Sequence, residues 1–93
     1  MDYYTWNIEK NEKLKIERGI SLEQIVMHVE RGDVLDIVDH PNPKKYPKQQ
    51  LLVVEINKYA YLVPFVEDEN SKFLKTIIPS RKATRYYLGG KNE

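Results

Sequence analysis

Arg81 and Arg85 stand one helical turn apart in the run Ser80-Arg81-Lys82-Ala83-Thr84-Arg85, a spacing that puts both guanidinium groups on one helix face. Two such groups can clamp a phosphate, and each can do so through two parallel N–H donors where an ammonium offers a point charge. Ser80 is a good N-cap, so this helix opens with Arg81 and Lys82 at the positive end of its own dipole. Like charge at that end costs roughly 0.3–1 kcal/mol per group at low salt. Basic residues held there against that cost argue for an anion; the bland alternative is a solvated basic helix end. Lys82 points about 100° from Arg81 and is placed to meet a partner or a nucleic-acid backbone.

Lys75 lies on the strand feeding this helix, alternating with Phe73 and Ile77; its bland alternative is a solvent-facing strand lysine. His40 is the candidate proton carrier near neutral pH, in a loop with Lys44, Lys45 and Tyr46. His28, on a helix flank beside Val29, reads as structural or exposed. Tyr86 and Tyr87 can stack on bases or simply pack. Trp6 reads first as core or rim packing and second as a stacking platform. On residue physics alone Lys10 and Lys13 are solvated helix surface.

This set of side chains suits one reaction. RNA carries its own nucleophile, the 2′-OH, so an enzyme need only position the phosphodiester, stabilise developing negative charge and move protons. Competing sites are not evident in the sequence. There is no cysteine, the two histidines share no ligand spacing, and no glycine-rich phosphate loop occurs. Ser, His and Asp residues are present without a nucleophile elbow. The expectation is chemistry with neither metal nor cofactor.

The elements that must position these residues follow from local patterns. Tyr3 to Trp6 is short, aromatic and β-prone, suited to a sheet edge. Asn7 caps a charged helix running to about Arg18, with Gly19 as its C′ residue and an expected Glu9–Lys13 pair. Ser21-Leu22-Glu23-Gln24 is a capping box, with Ile20 stapling onto Ile25. Leu22, Ile25, Val26 and Val29 then form an apolar helical stripe that Arg31 and Gly32 close. Val34 to Val38 reads as a strand, and the proline-rich stretch from His40 is loop. Leu51 to Ile56 reads as a central strand, Asn57-Lys58 as a hairpin turn, and Tyr59 to Val66 as its partner. Pro64 implies an edge or a bulge there. Phe73 to Ile78 is the next strand, and the helix from Ser80 ends near Gly89-Gly90, with 89–93 expected to fray.

Ninety-three residues make one domain. Hydrophobic residues at 41% and charged residues at 31% give a globular composition. The net charge of +1 excludes a bulk polycation, so only its distribution matters: Asp33, Asp36 and Asp39 against Lys44, Lys45 and Lys48. No apolar run approaches the ~20 residues of a membrane span, and no signal peptide is read at Met1-Asp2-Tyr3-Tyr4; a cytoplasmic protein is expected. The fold class expected is α+β: one domain, an antiparallel sheet of three to five strands, two N-terminal helices and one C-terminal helix.

Two stretches carry a family likeness. Trp6, Lys10 and Gly19, followed by Ile20-Ser21-Leu22-Glu23, form the first, and Ile77-Ile78-Pro79-Ser80-Arg81-Lys82-Ala83-Thr84-Arg85 the second and more specific. In these the chain resembles the BrnT-like toxins of type II toxin–antitoxin systems, small ribonucleases with a RelE-like fold. It departs from their pattern at Asn7, Leu14 and Glu17-Arg18, and the His40 to Gln50 loop replaces the family's middle Glu-Arg pair. The resemblance implies a metal-independent endoribonuclease that uses Lys10, Arg81, Lys82 and Arg85, with Trp6 in support. It leaves His40, Tyr46 or Lys44 to supply what the missing pair does. It also implies an RNA substrate and a small antitoxin with a DNA-binding segment, so that DNA is met only through that complex. The alternative function is a non-catalytic nucleic-acid or protein-binding module acting as a co-repressor.

Overall fold

Asn7 ends the first strand, β1 (Tyr3–Trp6), and starts the first helix. In the computed structural model, which describes residues 3–89, its side chain accepts from Lys10 N at 2.9 Å and caps α1 (Ile8–Arg18). Gly19 closes α1 in the left-handed region at φ 67°, where a Cβ would be strained. As its composition requires, α1 is a surface helix: Ile8 and Ile16 are exposed, and only Asn11 and Leu14 are buried. The expected Glu9–Lys13 pair gives way to Glu12–Lys15 at 3.0 Å.

The capping box forms as expected. Ser21 Oγ accepts from Gln24 N at 3.2 Å, and Gln24 Oε1 accepts from Ser21 N at 2.9 Å, opening α2 (Leu22–Glu30). Leu22 and Ile25 are wholly buried, and Val26 and Val29 pack against the same cluster. Gly32, at φ 92°, then ends α2. Its N–H donates to Val29 O at 3.1 Å and that of Asp33 to His28 O at 2.9 Å, the paired bonds of a Schellman motif.

The remaining strands are β2 (Val34–Asp39), β3 (Gln49–Ile56), β4 (Tyr59–Glu67), β5 (Ser71–Leu74) and β6 (Ile78–Pro79). They lie in the order β1-β5-β4-β3-β2, with β6 pairing β4 off this path. β3 and β4 form the expected hairpin, and Asn57 and Lys58 turn it with φ of 53° and 65°. Two successive positive φ values are what a type I′ turn requires, and here they are met without glycine.

Two expectations about the sheet are corrected. Among the described residues the sheet has six strands, not three to five, and it is mixed rather than antiparallel, because β1 pairs β5 in parallel (Tyr3↔Ser71 to Trp6↔Leu74). The helical segment between β1 and β2 gives the chain room to re-enter in that sense, as a parallel pair needs a long connection. Next, the strand expected from Phe73 to Ile78 is broken into β5 and β6. Residues 75–77 face only residues 63–64 of β4, an insertion of one residue between Phe65↔Leu74 and Leu62↔Ile78. Pro64, expected to mark an edge or a bulge, lies in the central strand β4 opposite that inserted residue. Its carbonyl accepts from Lys75 N at 2.8 Å, so its missing N–H falls on the side where β5 gives way to β6 and no ladder bond is lost.

Alternation sorts the sheet into two faces. Leu52, Val54, Ile56, Val63, Phe65, Leu74 and Ile77 meet Leu14, Ile20, Leu22 and Ile25 of the helical layer. The other face also buries Leu51, Val53 and Ala60, which explains why β3 is nearly continuous apolar sequence. The C-terminal segment packs on this second face. It opens as α3 (Arg81–Thr84), shorter than the expected helix, and continues as a π-helical turn, Arg85–Gly89. The expected frayed tail from residue 90 onward lies outside the described residues.

Candidate functional site

The inserted residue at 75–77 decides which side chains share the second face. Without it, Lys75 and Ile77 would point the same way. With it, Ile77 is wholly buried in the helical-side core, while Lys75 and Ile78 line a groove on the opposite side. Arg18 secures the break: its Nη1 donates to the Ile77 carbonyl at 2.7 Å from the last turn of α1. No local sequence signal marks that bond, which spans 59 positions.

The loop after β2 supplies the opposite wall. His40 N donates to Gln49 O at 3.1 Å, Tyr46 N to Asn42 O at 2.9 Å and Gln49 N to Tyr46 O at 3.3 Å. Lys48 makes the return at φ 68°. These bonds bring the His40 and Tyr46 rings to 4.3 Å between centroids, with Lys45 Nζ 5.5 Å from the tyrosine ring. His40, Tyr46, Gln49, Pro64, Lys75 and Ile78 line a cavity of about 310 Å³. A second cavity of about 400 Å³ adjoins it through His40, Tyr46 and Gln49 and reaches Asp39 and Lys48. Three residues singled out from sequence, His40, Tyr46 and Lys75, thus meet in one place. Lys44 is exposed in the same loop. Lys75 Nζ also lies 5.6 Å from the Phe73 ring centroid, within cation–π range.

His40 is oriented in a way the sequence does not disclose. Its Nδ1 accepts from Asn42 N at 3.0 Å. A backbone N–H can only donate, so the neutral ring carries its proton on Nε2. The nitrogen left facing outward is then a donor. In this geometry His40 can hydrogen-bond an oxyanion but has no lone pair on Nε2 to accept a proton.

Arg81, Lys82 and Arg85 are all exposed. Arg85 N still donates to Arg81 O, so the two guanidinium groups keep the helical spacing even though the π-helical turn begins at Arg85. Among the described residues none of the three forms an ion pair. Arg81 follows the groove residue Ile78 by three positions, a Cα separation of at most about 11 Å. Lys82 instead rims an apolar hollow of about 260 Å³ with Leu62, Ala83, Tyr86 and Tyr87.

The junction that carries these cations is firmly built. Ser80 Oγ accepts from Ala83 N at 3.0 Å, and Ser80 N donates to Ala60 O at 3.1 Å. Thr84 Oγ1 accepts from Ala60 N at 2.8 Å and donates to Ser80 O at 2.7 Å, fastening α3 to β4. At the far end Tyr87 OH donates to Asp36 Oδ2 of β2 at 2.6 Å. That bond to a carboxylate, with some burial, pushes the phenol up to about 12.

Trp6 and Lys10 do not join the groove. Trp6 packs against the helical-side core, the packing role that residue physics favoured, and Lys10 is exposed on α1, bound to Asn7 only through its backbone N–H. Sequence reasoning also passed over Asn11, buried in a surface helix. Its Oδ1 accepts from Leu22 N and its Nδ2 donates to Glu23 Oε1, each at 2.7 Å, tying α1 to the start of α2. That amide, first among several contacts, holds the Glu23 carboxyl below its ordinary value. Among the described residues no three His, Asp or Glu side chains converge as metal ligands. No helix among them is long and apolar enough to cross a membrane. No protein-family model, curated protein or solved structure matches the chain.

Proposed function

We propose that this protein is the toxin of a type II toxin–antitoxin pair, a BrnT-like, RelE-like endoribonuclease that cleaves RNA through attack by the 2′-OH without a metal. The observation that carries this reading is the second-face groove, where His40, Tyr46 and Lys75 meet beside the strand leading to Arg81. In it Lys75 neutralises the phosphodiester, Tyr46 offers a stacking face, and the His40 Nε2–H donates to a non-bridging oxygen, while Arg81 and Arg85 extend the clamp from the helix beyond. Lys44 and Lys82 serve the RNA backbone on either side. A small antitoxin with a DNA-binding segment covers this face and carries the pair to its operator, which puts the protein in the cytoplasm.

The test is incubation of the purified chain with RNA in EDTA, followed by analysis of the ends. Cleavage leaving 2′,3′-cyclic or 3′-phosphate termini is expected, with Arg81→Ala and Lys75→Ala folded but strongly impaired. Intact RNA, or a requirement for Mg²⁺, sinks the mechanism. A specific observation also favours the second reading, a non-catalytic co-repressor. With His40 Nδ1 occupied by Asn42 N–H, the groove is better supplied with anion donors than with proton acceptors. That reading predicts salt-sensitive nucleic-acid or partner binding without turnover.

A further inference from the structure

The other histidine has the complementary arrangement. His28 Nδ1 lies 2.8 Å from Asp33 Oδ2, with the side chains 13% and 30% exposed. A carboxylate accepts, so Nδ1 carries the proton and the lone pair of the neutral ring is on Nε2. The His28 side chain makes no other polar contact among the described residues. Since no buried side-chain nitrogen there lacks a partner, Nε2 reaches solvent. Of the two histidines, His28 is the one with a proton acceptor facing outward.

The dyad follows from local chain geometry. In a Schellman motif the side chains at the third-last helical position and the second position beyond the helix come together, commonly as an apolar pair. Here those positions hold His28 and Asp33, joined by the backbone bond from Asp33 N to His28 O at 2.9 Å. They open onto a cavity of about 250 Å³ that Arg31, Glu55, Asn57 and Lys58 complete. Arg31 Nε stands 3.7 Å from Asp33 Oδ2, and Asp33 O accepts from Glu55 N at 3.0 Å, fixing the dyad to the hairpin. The groove on the second face adjoins Gln49 and this cavity adjoins Glu55, six residues along β3 or roughly 20 Å.

We propose that this cavity is an acid–base site for a phosphate ester bearing a neighbouring hydroxyl. His28 Nε2 takes the hydroxyl proton, Asp33 is its positioning residue, and Arg31 and Lys58 hold the anion. With Arg31 and Lys58 offset by Asp33 and Glu55, the walls suit a singly charged phosphodiester better than a dianion. For an RNA linkage, the 2′-O–P bond forms as the P–5′-O bond breaks. The 2′-OH proton goes to Nε2, and the departing 5′-oxygen takes a proton from water or the Lys58 ammonium. The proposal rests on the ribonuclease reading only for this substrate class.

Two measurements test it. Nitrogen-15 NMR of the folded protein above pH 8 should show His28 with Nδ1 protonated and His40 with Nε2 protonated. Asp33→Asn should collapse the His28 signature while far-UV circular dichroism stays unchanged. Titration with a dinucleoside monophosphate should shift the His28 Nε2 resonance and the Lys58 amide. Cleavage of that compound should fall by about 100-fold or more in His28→Gln and little in Lys13→Ala, on the exposed surface of α1. Cleavage lost in Lys75→Ala but kept in His28→Gln overturns this proposal and leaves the groove reading standing. Loss in His28→Gln with cleavage kept in Lys13→Ala upholds this site. An unshifted His28 resonance, or the opposite tautomer, overturns the site whether or not RNA is cut.

Discussion

Thr84→Val isolates the bond that fastens the basic junction to the sheet. The side chains are nearly equal in shape, so the substitution removes the hydroxyl and little else. Ala60 is 0% exposed, and its N–H would lose the Thr84 Oγ1 acceptor at 2.8 Å with no water to replace it. A buried donor left unpaired costs about 1–3 kcal/mol. Ser80 O loses the hydroxyl donor but keeps Thr84 N at 3.0 Å, so it adds little. The expected loss is about 2 kcal/mol, a large fraction of the roughly 5–15 kcal/mol typical of a domain. Thr84→Ser keeps the hydroxyl and forfeits one methyl group, at most about 1 kcal/mol. Urea unfolding of the three proteins gives the comparison through the midpoint at constant m. Amide exchange at Ala60 reports the same bond directly and should accelerate in the valine variant only. If the valine variant unfolds within about 0.5 kcal/mol of the parent, or serine costs as much as valine, the hydroxyl does not hold α3 in place and the reasoning fails.

Two further substitutions probe the other long-range ties. Asn11→Ala strips the acceptor from Leu22 N–H, in a residue 0% exposed, and should cost about 2 kcal/mol in urea titration. Because the Asn11 amide also depresses the Glu23 carboxyl, that part of the stability is present above the ordinary glutamate value and fades as pH falls through the depressed one. The gap between parent and Asn11→Ala should therefore narrow in acid; a gap that widens contradicts the bond. Tyr87 has the opposite sign. Its phenol is raised to about 12, so its tie to Asp36 is intact below the unfolded value of about 10 and is lost as pH climbs through 12. Alkaline titration of the urea midpoint should fall more steeply for the parent than for Tyr87→Phe, and parallel curves would show that the hydroxyl contributes nothing there.

The parts of the fold legible in the sequence are those written in contiguous residues. Asn7, Gly19, the Ser21–Gln24 box and Gly32 each act within one turn of chain, and each does in the structure what its chemistry requires. The β3–β4 hairpin follows equally from period and turn. What could not be read there is decided between distant residues. Nothing in Tyr3 to Trp6 names Ser71–Leu74 as a parallel partner. Nothing near residue 75 announces one inserted residue, since no glycine marks it and the arginine that secures it comes from α1. Pro64, read as marking an edge or a bulge, is the one local sign of it: the inserted residue in the neighbouring strand answers the missing N–H as an edge would.

The candidate site divides along the same line, and the division bears on mechanism. Arg81 and Arg85 are legible because helical spacing is local. The meeting of His40 and Tyr46 with Lys75 depends on β3, β4 and β5 all being paired. The state of each histidine depends on a single partner atom: a backbone N–H at His40 and a carboxylate at His28. Residue type made His40 the candidate proton carrier, whereas hydrogen-bond polarity makes it a donor and gives the accepting nitrogen to His28. The Asp33 carboxylate lies five positions beyond His28 and just past Gly32, the spacing at which a Schellman motif brings two side chains together. The dyad is therefore legible in the sequence, from the C-cap glycine and the two side chains that flank it.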